Sequence, residues 1–210
     1  MVQAVVFDYG LVLSGPREQG AIDAALGLTG LDRIRFEEIY WKFRDAYDEG
    51  LLDGMAYWRR SLDDAGIAPT LQLIVDLLRL DGEMWCTQNA ALVGWQQRLR
   101  MAGVKTAILS NMGDAVRAAI ERSCAWVYAF DVRVWSHEVG YTKPDPRIYR
   151  HTLEQLGVEP GQALFLDDRE ENVASARRCG MQALAFSTMG QLRADLSASI
   201  TLSALLPVDA

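Results

Sequence analysis

Between residues 102 and 186 the chain alternates short apolar runs with stretches of helical periodicity, and nothing else in the sequence constrains the fold as much. The runs are Thr106–Leu109, Phe130–Trp135, Ala163–Leu166 and Gln182–Phe186; with Val5–Phe7 they predict five buried strands. Helical patterns near 113–123, 145–156 and 170–179 lie between most of them. A strand that reads as a continuous apolar run is covered on both faces. Strands that alternate with helices can pair in parallel. The expected fold class is therefore α/β, a parallel sheet covered by helices.

Residues 16–100 have a different texture. Apolar positions recur at spacings of three and four, as in Phe36, Ile39, Phe43 and Tyr47, or Leu71, Ile74, Val75 and Leu78, and no strand is evident. After its first strand the chain thus leaves the sheet for a helical insert and returns through a helix near 88–101. Asp53 and Thr70 are the expected helix starts, although Gly54 weakens the first. The division that follows is a core of residues 1–15 and 88–210 with an α-helical cap over 16–87. At 210 residues and 50% hydrophobic, the chain can bury a core of that size. Trp41, Trp58, Trp85 and Trp95 fall in helical patterns and are expected to pack in core or cap.

In an open parallel sheet, ligands bind beyond the carboxyl ends of the strands. Asp8 follows the first run, Ser110 and Asn111 the second, and Asp167 and Asp168 the fourth; Lys143 sits in GYTKPDP, a loop beyond the third. Singly, each has an ordinary explanation as a turn, a helix cap or a solvated side chain. Their occurrence at successive strand ends argues for one site. Clustered carboxylates repel one another, so a hard divalent cation is their natural partner, and all-oxygen ligands favour Mg²⁺. Asp8 beside such a cation stays ionised and is able to attack phosphorus, giving an aspartyl-phosphate that water then hydrolyses. Lys143 is expected to neutralise charge on Asp8 and the phosphoryl group, with Ser110 and nearby backbone N–H groups donating to its oxygens.

The net charge of −7 argues against non-specific binding to nucleic acid or to an anionic membrane. No apolar run approaches a membrane span, and the N-terminus lacks a signal-type pattern. Cys86, Cys124 and Cys179 are an odd number without metal-type spacing, expected as reduced, mostly buried thiols. A soluble, cytoplasmic protein is expected. The expected partner is a small phosphorylated metabolite; the sequence leaves oligomeric state open.

The segments VVFDYGLVL, ILSN, GYTKPDPRIY and LFLDDREENVASA, in this order and with a helical insert after the first, resemble the four motifs of the haloacid dehalogenase-like (HAD) superfamily. The resemblance implies a Rossmann-like core with an inserted α-helical cap, and Asp8 as nucleophile assisted by Lys143. It implies phosphate contacts from Ser110 and Lys143, with Tyr9, Gly10 and Asn111 as further candidates, and Mg²⁺ held by Asp8, the Gly10 carbonyl and Asp168. Asp167 is expected to support the metal, and Asn172 to brace the loop.

Many phosphatases of this superfamily carry a second aspartate, the general acid–base, two residues after the nucleophile. Here that place is Gly10. The first motif is similar to an FDxGxV-type branch that resembles hexose-1-phosphate phosphatases, so a sugar phosphate is the expected substrate class. A substitute proton donor is sought in Tyr9, His137 or the cap. The rival within the superfamily is a metal-independent 2-haloacid dehalogenase. It is disfavoured because Tyr9 stands one place early for that motif and both Asp167 and Asp168 are retained. A phosphonate hydrolase needs a cap lysine, and Lys42 is the only one in 16–100. A catalytically silent phosphometabolite-binding protein has no use for the nucleophile. In the cap, Glu49, Leu51, Leu52 and Asp53 are the expected substrate contacts.

Overall fold

The computed structural model describes residues 2–199 and 202–206. Five parallel strands form the sheet: β1 (Ala4–Phe7), β2 (Lys105–Ser110), β3 (Val132–Trp135), β4 (Ala163–Asp167) and β5 (Gln182–Ala185), in the order β3-β2-β1-β4-β5. The expected third strand began at Phe130, but Asp131 turns away to cap the edge of β2. Its carboxylate accepts from the Thr106 backbone N–H at 2.8 Å, so the ladder starts at Val132.

β1 is the central strand, and both of its faces are buried. Val5 and Phe7 pack on one side with Trp95, Ile108, Val116 and Leu164. Ala4 and Val6 pack on the other with Ile148, Leu153, Phe165 and Val173. This explains why the strand reads as an unbroken apolar run rather than an alternating one. The covering helices are α6 (Ala90–Met101), α7 (Asp114–Ser123), α9 (Pro146–Leu156), α10 (Glu170–Arg178) and α11 (Met189–Ala198), with a short α8 (Ser136–Val139) after β3. Pro146 at the first turn of α9 follows Asp145, whose carboxylate caps the helix through the Arg147 N–H at 2.8 Å.

Between β1 and α6 the chain forms a wholly helical insert of α1 (Gln19–Thr29), α2 (Arg33–Lys42), α3 (Arg44–Asp48), α4 (Gly54–Asp64) and α5 (Leu71–Met84). Asp53 and Thr70 cap α4 and α5 through the N–H groups of Ala56 and Leu73. Gly54 does not spoil the start of α4; it permits it, because a Cβ there would lie 2.6 Å from Leu78.

The insert seats on the sheet domain through contacts that admit no side chain. A Cβ on Gly82 of α5 would lie 2.3 Å from Ala119 of α7, and one on Gly113 2.2 Å from the ring of Tyr47. Trp58 and Trp95 are buried as expected, but Trp41 is 48% exposed and Trp85 is only half-buried. All three cysteines are unpaired, and only Cys124 is buried. Among the described residues no helix is long and apolar enough to cross a membrane.

Candidate active site

Sheet order explains how the scattered groups meet. β1 is flanked by β2 and β4, so Asp8, Ser110 and Asp167 emerge from three adjacent strands at one end of the sheet. The Asp8 N–H still donates to the Leu166 carbonyl at 2.8 Å, which holds it in the ladder. Its Oδ1 accepts from the Tyr9 N–H at 2.7 Å and from Lys143 Nζ at 2.6 Å. Lys143 Nζ also donates to Asp167 Oδ2 at 2.7 Å. Asp8 Oδ2 accepts no hydrogen bond among the described residues and faces the cavity that Asp8 lines.

Asp167 is fully committed. Its other oxygen accepts from the Arg169 N–H and from Asn172 Nδ2, both at 2.9 Å. Asp168 is the least buried of the three carboxylates and opens on the same cavity. Carboxylate oxygens of Asp8, Asp167 and Asp168 lie within 4.8 Å of one another. Three carboxylates against the single ammonium of Lys143 leave an excess of negative charge. Burial, opposed by Lys143 and reinforced by Asp167, pushes the Asp8 carboxyl up to about 7. Asp168 is also raised, by burial and then by Asp167. Lys143 is held above its ordinary value because Asp167 and Asp8 outweigh the opposing effect of its burial. Such an all-oxygen, electron-rich set fits a hard divalent cation. The buried Asn172 Oδ1, which has no hydrogen-bond partner, adds an uncommitted oxygen at the edge of the cavity.

A cavity of about 210 Å³ opens over Asp8, between sheet domain and insert. Ser110, Thr142, Lys143, Asp168 and Arg169 line it from below; Trp41, Arg44, Asp45, Asp48 and Trp85 line it from above. The upper wall is built on a buried polar network. Arg44 Nη1 donates to Tyr40 Oη at 2.8 Å and to both oxygens of Asp81 at 3.2 Å, while its Nε donates to Asp48 Oδ1 at 3.0 Å. Tyr40 Oη donates to Asp81 at 2.7 Å and accepts from Trp85 Nε1 at 2.8 Å. Burial, against the pull of Arg44 and with the help of Asp81, pushes the Asp48 carboxyl up to about 6.

Several expected roles change with this geometry. Tyr9 does not offer its side chain to substrate: the ring is buried, stacks on Trp126, and its hydroxyl donates to the Trp85 carbonyl at 2.9 Å. Burial also raises its phenol far above the ordinary value, so it is no proton donor. Asn111 spends both ends of its amide on Lys143, accepting from its N–H at 2.7 Å and donating to its carbonyl at 2.9 Å. It therefore positions the lysine loop. His137 lies outside the cavity, with Nδ1 against the Met112 carbonyl at 2.8 Å.

Glu49, Leu51, Leu52 and Asp53 do not line the cavity either. The chain turns away at Gly50, whose backbone is packed on His137, and the wall comes from the preceding turn of helix. A signal for it was present. Arg44 interrupts the stripe Phe36, Tyr40, Tyr47 at a core-facing position, and a charge placed there has to be buried and paired. Gly10 has φ −65° and ψ 129°, open to any residue. What crowds a side chain there is Trp85, whose ring would lie 3.3 Å from a Cβ. The left-handed residue of this turn is Leu11, at φ 58°.

The family model for haloacid dehalogenase-like hydrolases matches residues 4–180. Among curated proteins, a phosphatase of Mycobacterium tuberculosis is 37% identical over 98 residues, 46% of this chain and 45% of that protein. The chain thus aligns with less than half the length of that relative. Among solved structures, a HAD family enzyme of Bacteroides thetaiotaomicron in complex with magnesium and inorganic phosphate superposes with a TM-score of 0.70 at 17% identity, covering 89% of this chain and 95% of that one. The L-2-haloacid dehalogenase of Xanthobacter autotrophicus, with chloropropionic acid covalently bound, gives 0.67 at 22% identity, covering 96% and 84%. At these identities the two structures speak for the fold alone. The family match, however, runs from the first strand through the inserted helices to α10, and on that ground the chain belongs to the haloacid dehalogenase-like hydrolase family.

Proposed function

We propose that the protein is a Mg²⁺-dependent phosphatase that acts on a small phosphorylated metabolite through an aspartyl-phosphate on Asp8. One observation carries this reading: the buried Asp8–Lys143–Asp167 triplet beside Asp168 puts three carboxylates against one ammonium, with a free Asp8 oxygen facing the cavity. Asp8 and Asp168 would hold the cation, with the Gly10 carbonyl as a further donor. Asp167, spent on Lys143, Asn172 and the Arg169 N–H, would brace the site. The cation supplies charge neutralisation that draws a phosphate dianion to an acidic pocket.

Lys143 keeps Asp8 oriented and offsets charge on the transferring group. Ser110, buried at the end of β2 and with only a 3.5 Å contact to the Asn111 carbonyl, has a hydroxyl free to donate to a phosphoryl oxygen. The walls of Trp41 and Trp85 with Asp45 suit a compact, hydroxylated leaving group such as a sugar, whose C–H faces pack on aromatic rings and whose hydroxyls donate to carboxylates. The phosphatase relative supports the same reading.

The test is hydrolysis of 4-nitrophenyl phosphate and a panel of sugar phosphates with Mg²⁺. Asp8→Asn is expected to abolish it, because an amide is neither an adequate nucleophile nor a charged ligand. Full turnover in excess EDTA, or halide release from a 2-haloacid in its place, would refute the metal-dependent phosphatase.

A further inference from the structure

Resting on the phosphatase reading, we propose that Asp48 of the inserted helices is the general acid–base of this site, taking the part for which Gly10 has no side chain. Three features of the geometry converge on it. First, the place beside Gly10 is crowded. The Trp85 ring lies 3.3 Å from where a Cβ would sit, and Trp85 is held by its indole N–H on Tyr40 and by its carbonyl on Tyr9.

Second, Asp48 lines the same cavity as Asp8 and approaches it from the cap, with one oxygen anchored and one free. Oδ1 accepts from Arg44 Nε; Oδ2 has no hydrogen bond among the described residues, and the side chain, which lines the cavity, is 13% exposed. A catalytic acid needs that arrangement, because the anchored oxygen fixes the free one.

Third, the charge count of the network favours a proton on Asp48. Arg44 is shared between Asp48 and the wholly buried Asp81, so two carboxylates compete for one guanidinium. Asp81 has both oxygens on Arg44 and accepts the Tyr40 hydroxyl as well. Asp48 is the less satisfied partner and the one beside the cavity. Protonating it leaves a neutral Arg44–Asp81 pair, which low-dielectric surroundings favour. The other charged groups nearby are Asp45 on the same helix and, on the adjoining α8, His137 and Glu138. His137 is held on the Met112 carbonyl and Glu138 is paired with Arg117. Asp45 is exposed and accepts no side-chain hydrogen bond among the described residues, so nothing orients it as an acid.

The chemistry balances over two steps. As an Asp8 oxygen bonds to phosphorus and the bond to the ester oxygen breaks, the Oδ2 proton of Asp48 passes to that oxygen and an alcohol leaves. The resulting Asp48 carboxylate then takes a proton from water as the water oxygen attacks phosphorus. The Asp8–phosphorus bond breaks, inorganic phosphate departs, and Asp8 and protonated Asp48 are restored.

The experiment is a leaving-group series with Mg²⁺, from 4-nitrophenyl phosphate to primary alkyl phosphates, on wild type and Asp48→Asn. The asparagine keeps an acceptor for Arg44, and Asp48→Glu provides a second variant that retains the acid. Positioned acid catalysis is worth roughly 10²–10⁴-fold, so Asp48→Asn is expected to lower kcat/KM for alkyl phosphates by about that much. The loss on the nitrophenyl ester, whose leaving group needs no proton, should be at least about tenfold smaller. Asp48→Glu should recover part of the alkyl rate.

After correction for each ester's own ionisation, the wild-type ratio of alkyl to nitrophenyl kcat/KM should fall as pH rises through about 6. In Asp48→Asn that ratio should be flat. An equal loss on every ester would make Asp48 a structural residue and overturn the proposal, as would no loss at all. Asp8→Asn, run alongside, must be inactive throughout; if it is not, the phosphatase reading fails and takes this proposal with it.

Discussion

Installing an aspartate at Gly10, where many relatives carry their acid, should not improve this enzyme, and the structure says why. The backbone there is ordinary, at φ −65° and ψ 129°, so Gly10→Asp incurs no conformational strain. The obstacle is packing. The new Cβ would lie 3.3 Å from Trp85 Cζ3 and 3.9 Å from Cη2, and three further heavy atoms must follow it. Trp85 cannot simply swing away, since its indole N–H is bonded to Tyr40 and that hydroxyl to Asp81 and Arg44.

Overpacking of this kind costs about 1–3 kcal/mol. For a chain of this size each kcal/mol corresponds to about 2–4 °C in Tm, so a fall of roughly 2–12 °C is expected. Gly10→Ala, which adds only the Cβ, should fall at the low end. In the leaving-group assay Gly10→Asp should give alkyl phosphates less than about a tenfold advantage, far below the roughly 10²–10⁴-fold that a positioned acid supplies. Differential scanning fluorimetry with the same kinetic series checks both parts. An unchanged Tm with a gain of 10²-fold or more on alkyl phosphates alone would refute the reasoning. It would mean that Trp85 yields and that the Gly10 side is where the leaving oxygen sits.

Asp168→Ala should raise the Mg²⁺ concentration for half-maximal activity while leaving the fold intact, because Asp168 is the least buried of the three carboxylates and makes no ion pair among the described residues. Asp167→Ala should instead lower Tm, since it removes an acceptor from buried Lys143, from Asn172 and from the Arg169 N–H. Lys143→Ala leaves Asp8 and Asp167 buried without a counter-ion and should cost about 3–5 kcal/mol, read by denaturant unfolding without metal. Gly113→Ala drives a Cβ to 2.2 Å from Tyr47, whose ring is stacked on Tyr57 at 4.6 Å. It should lower Tm and, by displacing the helix that carries Asp48, lower kcat/KM as well. The Asp48 carboxyl is raised from 3.8 to about 6, so it holds its proton more tightly folded than unfolded. Its contribution to stability is complete below the unfolded value and lost as pH rises through about 6. The Tm of wild type relative to Asp48→Asn should therefore decline between pH 4 and pH 7, and a constant difference would show that Asp48 carries no raised pKa.

The parallel sheet, the helical insert and the grouping of Asp8, Ser110, Lys143, Asp167 and Asp168 were legible in the sequence for a common reason. A strand buried on both faces has to be apolar along its length, and where the apolar run stops, the polar residue that follows lies at the sheet's carboxyl end. Local pattern carries that information, because burial acts on each residue of the strand separately. The partners of those residues were a different matter. Asn111 reads as a phosphate contact until the lysine loop, 32 residues away, is seen to occupy both ends of its amide. Tyr9 reads as a residue of the site until its ring is found stacked on Trp126. The cap wall could not be read from the turn near Glu49, because which helical turn faces Asp8 depends on how α5 and α7 close on Gly82 and Ala119, and how Tyr47 closes on Gly113. Likewise the sequence showed a missing carboxylate at Gly10 but not the tryptophan packed close beside it, nor the shared guanidinium that favours a proton on Asp48. Those are contacts between residues tens of positions apart. Periodicity reports only whether a side chain is buried, whereas the choice of what it is buried against is made by the packing of the whole chain.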